Sequence, residues 1–219
     1  RVERRAGALA GEGYAGIGDR LDGMFDMTRA DAVTLARTFI QGANVEASRA
    51  VAYANADILD GWKWCATLEP GFRATGRGTC IRCAALDGKQ FSLGDGPPIP
   101  LHPRCRCIPI WVPKSWRDLG VDLPELKSAM RPWTKRPDEN IDEGLRRTII
   151  EHGFHDGDYS TWLAKQSREF KLNALGPGRL RMLDGGASLG DMVDSKGELL
   201  PIPSKYTPKP TPKRTLGGP

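Results

Sequence analysis

Four of the five cysteines and one of the three histidines lie between Cys80 and Cys107. This segment begins with the motif Cys-Ile-Arg-Cys and ends with His-Pro-Arg-Cys-Arg-Cys. Two cysteines separated by two residues form a knuckle whose thiolates converge on one ion, and a second pair of ligands about twenty residues later closes a tetrahedral site. The spacing therefore predicts a structural metal site, and zinc is the ion that this donor set suits best.

The second group offers three donors for two coordination positions: His102, Cys105 and Cys107. If His102 and Cys105 repeat the first knuckle, Cys107 is the extra donor. If residues 105–107 are extended, both thiols point to one side and His102 is the extra donor. We lean towards the all-cysteine set, Cys80, Cys83, Cys105 and Cys107.

The residues around these ligands leave other interpretations open. Three arginines stand between the ligands, where guanidinium or backbone donors would stabilise thiolate charge: Arg82, Arg104 and Arg106. Two disulfides would also account for four cysteines, as would unligated thiols, but no apolar signal segment precedes the cluster. A catalytic zinc would need an open coordination position beside a general base. Asp87 is better explained as half of an Asp-Gly hairpin turn.

Between the two ligand groups the sequence predicts a small β-ribbon. Residues 86–91 form a tight turn that leads into a short strand, and the glycines and prolines of residues 94–100 exclude a helix. So few residues cannot bury enough apolar surface to be stable alone, so a bound ion would supply the missing folding free energy.

The element that must support this ribbon is a long helix before it. Thr28 and Asp31 form a capping box, and the apolar pattern continues to about Asp57, with Gly42 as a candidate break. The predicted apolar face consists of Val33, Ala36, Ile40, Ala43, Ala47, Val51, Ala54 and Ile58. We expect an ordinary scaffold helix.

A strand follows the helix. Alternation places Trp62, Trp64, Ala66 and Leu68 on one face of the strand and Lys63, Cys65 and Thr67 on the other. We expect Cys65 to be a half-buried thiol outside the metal site.

In this order, Trp-Lys-Trp at 62–64, Cys-x-x-Cys, Leu-Asp-Gly-Lys-x-Phe and His-Pro-x-Cys-Arg-Cys resemble the phage Mu protein F-like, or head morphogenesis, family of minor capsid proteins. The resemblance covers residues 30–110, including Ala-Arg-Thr-Phe at 36–39, and extends more weakly to residue 203. It implies a minor capsid protein of a tailed bacteriophage, bound inside the head near the portal and assembled in the host cytoplasm. It further implies action in procapsid assembly and in DNA packaging or ejection, contacts with the portal protein and the major capsid protein, and no catalysis.

The remaining chain is predicted to form arms around this domain. We divide it into an N-terminal arm at 1–27, the domain at 28–112, a Pro/Trp linker at 113–140, a helical region at 141–203 and a basic Pro-rich tail at 204–219. Overall we predict an α+β fold with a long N-terminal helix, a small antiparallel β-ribbon held by the Cys/His cluster, and irregular helical C-terminal arms.

Within the arms, several local features are predicted. Residues 108–113 form an edge strand because of their prolines. A helix over 141–153 stops at Gly153, and His152 and His155 are then solvent-exposed turn residues. A helix runs from 159 to 175, Gly176 and Pro177 separate it from the next, and a capping turn occupies 188–191.

The charge and hydropathy of the chain indicate which partners it could contact. The net charge is +5, and no apolar run is long enough to span a membrane. The tail carries four basic residues that would neutralise packaged DNA without reading its sequence: Lys205, Lys209, Lys213 and Arg214. A solubilising disordered end explains this composition equally well. Because the first residue is Arg1, we expect the sequence to begin within a longer product or after a cleavage.

Two other functional classes compete with the head-protein reading. One is an enzyme, either a hydrolase that uses zinc-bound water or a DNA-processing protein, but the three histidines have no recognisable catalytic spacing. The other is a zinc-ribbon nucleic-acid-binding module, which the arginines around the cluster support.

Overall fold

The structure is a computed structural model that describes residues 13–25, 27–69, 78–125, 131–135, 151–155 and 157–207. Its helices are α1 (Tyr14–Phe25), α2 (Arg29–Ala54), α3 (Ile81–Leu86), α4 (Tyr159–Ala164) and α5 (Arg168–Asp184). Its strands are β1 (Leu59–Cys65), β2 (Gln90–Phe91), β3 (Ile108–Pro113), β4 (Arg131–Lys135) and β5 (Glu151–His155). The predicted α+β class is confirmed.

The predicted N-terminal arm is wrong for its second half, where α1 packs against α2. Ile17 and Leu21 are each 1% exposed and contact Ala32 and Ala36 of α2. The two apolar residues are one helical turn apart, but the surrounding Gly and Arg residues obscure this short pattern in the sequence. α1 and α2 therefore form an antiparallel helical hairpin whose interface is built on small side chains.

Gly18 sets how closely these helices approach. A Cβ atom at Gly18 would lie 2.7 Å from Cγ2 and 3.1 Å from Cα of Val33. We expect Gly18→Ala to lower the free energy of unfolding by about 1–3 kcal/mol, because the helices would have to separate. The matched control is Gly23→Ala in the same helix, where no atom lies within 4 Å of the new Cβ. That variant should gain up to about 1 kcal/mol from helix propensity, and equal denaturant midpoints for the two variants would contradict the packing.

The start of α2 was predicted correctly, but its buried face was not. The Thr28 side chain accepts a hydrogen bond from the Asp31 N–H at 3.2 Å, and the helix continues through Gly42 to Ala54. The buried residues are Ala32, Ala36, Val45 and Ala52. Five residues of the predicted face are exposed: Ala43, Ala47, Val51, Ala54 and Ile58. The buried face of α2 changes along the helix because the N-terminal half packs on α1 and the C-terminal half packs on the sheet and its loops. One periodic pattern therefore cannot describe both halves.

The main sheet has the order β2-β1-β3, with both neighbours antiparallel to β1. The predicted alternation is confirmed, since the buried face consists of Trp62, Trp64, Ala66 and Leu68. Phe91 of β2 stacks on Trp62 with ring centroids 4.8 Å apart, and Trp111 of β3 donates its indole N–H to the Ser48 hydroxyl of α2 at 2.7 Å. This face of the sheet thus packs against α2 and the cysteine cluster.

Pro109 explains why β3 lies at the edge of the sheet, as predicted. Pro109 is opposite Trp64, and the backbone N–H and C=O of Trp64 bond to Lys89 and Gly88 on the β2 side. The nitrogen of Pro109 therefore points away from β1, where a missing N–H costs no ladder hydrogen bond.

A second sheet corrects the predictions for the linker and the following helix. β4 pairs with β5, and Gly153 lies opposite Trp133 inside this ladder rather than at the end of a helix. Residues 136–150, which carry most of the predicted helix, lie outside the described residues. His155 is buried rather than exposed, and its Nε2 lies 2.9 Å from the Thr161 hydroxyl. It is a packed structural histidine, and His152 lies in β5.

The C-terminal region is helical as predicted, with one additional break. Ser167 caps α5 through the N–H of Phe170, so the helix predicted from residue 159 is divided into α4 and α5. Gly176 has φ 75 and ψ 167 and interrupts α5 before Pro177, which confirms the second break. The capping turn at 188–191 is also confirmed. We define the C-terminal core as the buried cluster that includes Leu68, Ala84, Tyr159, Trp162, Leu163, Leu175 and Met192.

The tail is described only to residue 207. Lys205 lies in a short 3-10 helix, with its ammonium 4.8 Å from the ring centre of Tyr206. Lys209, Lys213 and Arg214 lie outside the described residues. Among the described helices, none combines the length and the apolarity needed to cross a membrane.

Candidate metal centre

The first pair of cysteines is positioned by the start of α3. Cys80 is the N-cap of this helix, and its sulfur lies 3.5 Å from the backbone nitrogen of Cys83. Cys83 follows within the first turn and is 2% exposed. A helix start therefore turns both thiols toward the same side, as the two-residue spacing predicts.

The second group is positioned by a tight turn followed by extended chain. The N–H of Cys105 donates to the carbonyl of His102 at 3.1 Å, and Arg104 between them has a left-handed φ of 61. Two threonines of α2 hold Arg104 in this conformation: Thr38 accepts its backbone N–H at 3.0 Å, and Thr34 accepts its Nε at 2.7 Å. Such a backbone persists only where neighbours determine it, so α2 fixes the geometry of the second ligand group.

Both arrangements considered for the second group occur together. Residues 102–105 form the knuckle turn, and residues 105–107 connect this turn to β3. Cys105 and Cys107 are consequently both 3% exposed and on the same side of the chain. The amide of Gln41 donates to the carbonyl of Cys107 at 2.7 Å and ties this segment to α2.

The five predicted ligands converge into two groups of three that share Cys83. Cys80, Cys83 and His102 form one group, and Cys83, Cys105 and Cys107 form the other, with the donor atoms of each group within 4.8 Å of one another. The Nε2 atom of His102 lies 3.2 Å from the sulfurs of both Cys80 and Cys83. The sulfurs of Cys83 and Cys105 are 3.9 Å apart, and no cysteine is in a disulfide. These groups could hold a metal ion.

Two of the observed separations are close to those around a tetrahedral zinc ion. With Zn–S bonds of about 2.3 Å and Zn–N bonds of about 2.0–2.1 Å, tetrahedral angles separate two sulfurs by about 3.8 Å and a sulfur and a nitrogen by about 3.5 Å. The distances of 3.9 Å between Cys83 and Cys105 and 3.2 Å between Cys83 and His102 are close to these values. Soft thiolates with one imidazole are also the donors that favour zinc over magnesium or calcium.

The orientation of His102 is that of a metal ligand. Its Nδ1 lies 2.7 Å from the carbonyl oxygen of Pro103, and because a carbonyl only accepts, Nδ1 must carry the proton. In the neutral ring this leaves the lone pair on Nε2, which faces Cys80 and Cys83. Histidines that bind metals generally donate their second N–H to a carbonyl or carboxylate in this way.

Without a metal, the five donors share their protons unequally. Hydrogen bonds from Cys83 and His102 lower the pKa of Cys80 to about 4, and bonds from Cys107 and Cys83 lower the pKa of Cys105 to about 2. The thiols that donate these bonds, Cys83 and Cys107, have raised pKa values. The pKa of His102 is raised to about 9, chiefly by its bond with Cys80. Negative charge is thus concentrated on the sulfurs of Cys80 and Cys105, and a bound cation would displace protons from the other donors.

Metal affinity should therefore rise with pH. Bonds to Cys105 and Cys107 raise the pKa of Cys83, so this thiol is protonated at neutral pH and zinc must displace its proton. We expect the apparent zinc affinity to increase at least about tenfold per unit between pH 6 and pH 8. Competition with a chelator of known pH dependence measures this slope. An affinity independent of pH would show that the cysteines do not ligate the ion.

The predicted role of the three arginines is wrong for their guanidinium groups, which bond to neighbouring elements. Arg82 donates to the Gly197 carbonyl at 2.7 Å and pairs with Glu198, and Arg106 pairs with Glu69 at 2.9 Å. Backbone donors do act on the thiolates, because the N–H groups of Leu101 and Cys107 lower the pKa of Cys105. The arginines therefore attach the ligand-bearing segments to the surrounding chain.

Sequence reasoning missed two buried groups beside the centre. The indole nitrogen of Trp64 is buried with no hydrogen-bond partner among the described residues, and this group lowers the pKa of the Cys107 thiol.

Asp87 is not part of a hairpin. It is buried at the end of α3, where its carboxylate accepts from the N–H of Ala66 at 2.7 Å and the N–H of Tyr159 at 2.6 Å. The tryptophan pattern indicated burial, but nothing in the sequence indicated these partners.

Cys65 behaves as predicted. It is half-buried on β1, on the face opposite Trp64, and it belongs to neither group of donors. The centre is thus built from the five residues between 80 and 107. No family model, no curated protein and no solved structure matches the chain.

Proposed function

We propose that this chain is a non-enzymatic minor head protein of a tailed bacteriophage, and that one zinc ion stabilises its central module. In this proposal the protein lies inside the head near the portal, after assembly in the host cytoplasm. It acts in procapsid assembly and in DNA packaging or ejection. Two lines of support carry the proposal: the order of motifs along the chain, and the positions that the residues of those motifs occupy.

The observation that carries the proposal is that the tryptophans and cysteines of the motifs meet in one core. We define the central core as the buried cluster of Val45, Trp62, Trp64, Ala66, Cys83, Leu86, Ile99, Cys105 and Cys107, with Cys80, Phe91, Leu101 and Trp111 packed against it. In this proposal these residues therefore pack the core and coordinate the metal. This use of side chains supports an attachment module more than a catalytic one.

We propose Cys80, Cys83, His102 and Cys105 as the zinc ligands. These residues form two knuckles of equal spacing, and the hydrogen bond from Nδ1 of His102 to Pro103 favours ligation through Nε2. Four protein donors leave no open coordination position, as in structural rather than catalytic zinc sites. This closed set is why we favour a structural role over a zinc-dependent hydrolase or a DNA-processing enzyme.

The proposed partners are the portal protein and the major capsid protein. The basic residues of the tail, Lys205, Lys209, Lys213 and Arg214, would contact packaged DNA without sequence preference. A zinc-ribbon nucleic-acid-binding module receives less support, because Arg82 and Arg106 next to the ligands are engaged in ion pairs within the chain.

Analysis of virions tests the head-protein proposal. Particles of the encoding phage, washed in high salt, should contain the chain when examined by mass spectrometry, at a few copies per particle. Deletion of its gene should reduce the yield of filled heads. If washed particles lack the chain and assembly proceeds normally without it, the proposal fails.

Metal analysis tests the zinc proposal separately. The purified protein should contain one equivalent of zinc by elemental analysis, with loss of the metal on prolonged dialysis against chelator. A protein purified without chelators that contains no metal and cannot be loaded would remove the zinc from the proposal.

A further inference from the structure

The centre contains five donors, one more than a tetrahedral ion can use. The two groups of three share only Cys83, and each four-donor set must combine one group with one donor of the other. Two of these sets retain Cys80, Cys83 and Cys105 together. One adds His102 to them, and the other adds Cys107.

We infer that Cys107 is an alternative ligand that replaces His102 on the same ion. The inference rests on the proposed metal function and specifies it further, since the centre would hold zinc with either three sulfurs and one nitrogen or four sulfurs. Cys80, Cys83 and Cys105 belong to both sets, and Cys83 is the donor common to both groups.

The position of Cys107 supports this role over that of an ordinary core residue. Cys107 is 3% exposed and belongs with Cys83 and Cys105 to a group that could hold a metal ion by itself. Its sulfur lies within 4.8 Å of the sulfurs of both Cys83 and Cys105. A thiol in this position can reach an ion bound to Cys105 with a small side-chain rotation.

A buried donor is also available for the thiolate form of Cys107. The indole N–H of Trp64 has no other hydrogen-bond partner among the described residues, and Trp64 is fully buried. An unpaired buried N–H costs about 1–3 kcal/mol, and a thiolate beside it would recover part of this cost. A ligating Cys107 thiolate would thus lie beside a buried donor that has no other partner among the described residues.

His102 is the donor better suited to leave. It lies in an exposed turn and is half-exposed itself, whereas Cys107 lies in extended chain tied to α2 through Gln41. The imidazole can turn toward solvent without disturbing the core. The exchange would keep the ion bound to Cys105 while the imidazole of His102 turns away from it.

Zinc K-edge absorption of the full chain and its variants tests the inference, because Zn–S and Zn–N bonds differ by about 0.2–0.3 Å in length. The variants are His102→Ala, Cys107→Ser, Cys83→Ser and, as a control outside the centre, Cys65→Ser. We expect His102→Ala to retain one zinc with four sulfurs and an affinity within roughly a hundredfold of the parent. Cys107→Ser should retain one zinc with three sulfurs and one nitrogen. Cys83→Ser should lose zinc, and Cys65→Ser should match the parent.

Other outcomes contradict the inference while leaving the zinc proposal intact. If His102→Ala binds no zinc, or binds it with three sulfurs and a water oxygen, Cys107 does not replace His102. Loss of zinc in Cys107→Ser would make Cys107 an obligatory ligand instead. Absence of zinc from the parent protein would instead contradict the proposed function itself.

Discussion

Cys83→Ser is expected to lose the metal and to destabilise the chain by about 5 kcal/mol or more, since loss of a metal is among the few mechanisms that cost this much. Cys83 is common to both groups of donors and is 2% exposed in the central core. A serine hydroxyl there is a poor zinc ligand. The ion would otherwise join the start of α3 to the turn at 102–105.

The loss of stability in Cys83→Ser should be greatest near the metal centre. Hydrogen exchange should accelerate in β1, β2 and β3 and less in α5, whose contacts belong to the C-terminal core. Chelation of the parent protein should reproduce the same pattern, and adding zinc should reverse it. Cys65→Ser provides the matched control, because Cys65 lies on the same sheet but on its other face. Equal unfolding midpoints for the two serine variants would contradict a structural role for the metal.

Sequence patterns with a short period were sufficient to predict the local elements around the metal centre. The alternation from Trp62 to Leu68, the cap at Thr28 and the break at Gly176 each depend on neighbouring residues, and each is confirmed. The convergence of the five ligands follows only in part from local geometry. The helix start at Cys80 turns the first two thiols to one side, whereas Thr34 and Thr38 of α2 hold the turn of the second group.

Features that depend on distant partners were not predictable in the same way. The buried face of α2 changes where its partner changes from α1 to the sheet, and no single period describes it. Gly153 lies in a strand because of its pairing with Trp133, twenty residues earlier in the chain. In both cases tertiary contacts override a local pattern that is weak by itself.

Arg82 illustrates the same limit within the site. Its position between two ligands suggested a contact with thiolates, but the helix turns it outward to Gly197 and Glu198. Residues on a helix three or four positions apart share a face, whereas neighbours do not. On a helix, a residue one or two positions from a ligand therefore points away from the ion.

Asp87→Ala should be the second most damaging single change, costing about 2–6 kcal/mol, because two backbone N–H groups would lose their acceptor at about 1–3 kcal/mol each. The carboxylate joins Ala66, which follows β1, to Tyr159 at the start of α4. Ala66 belongs to the central core and Tyr159 to the C-terminal core. Asp87 is therefore a polar link between the two cores, placed where neither apolar cluster could satisfy these donors.

A graded series of variants isolates this link. Asp87→Asn retains one oxygen acceptor and should lose about half as much stability as Asp87→Ala. Asp95→Ala, at an exposed loop position, should change stability by less than about 0.5 kcal/mol. Denaturant unfolding gives the three values, and amide exchange at Ala66 and Tyr159 should accelerate together in both Asp87 variants. Exchange that accelerates at only one of these amides would mean that the carboxylate does not couple the two cores.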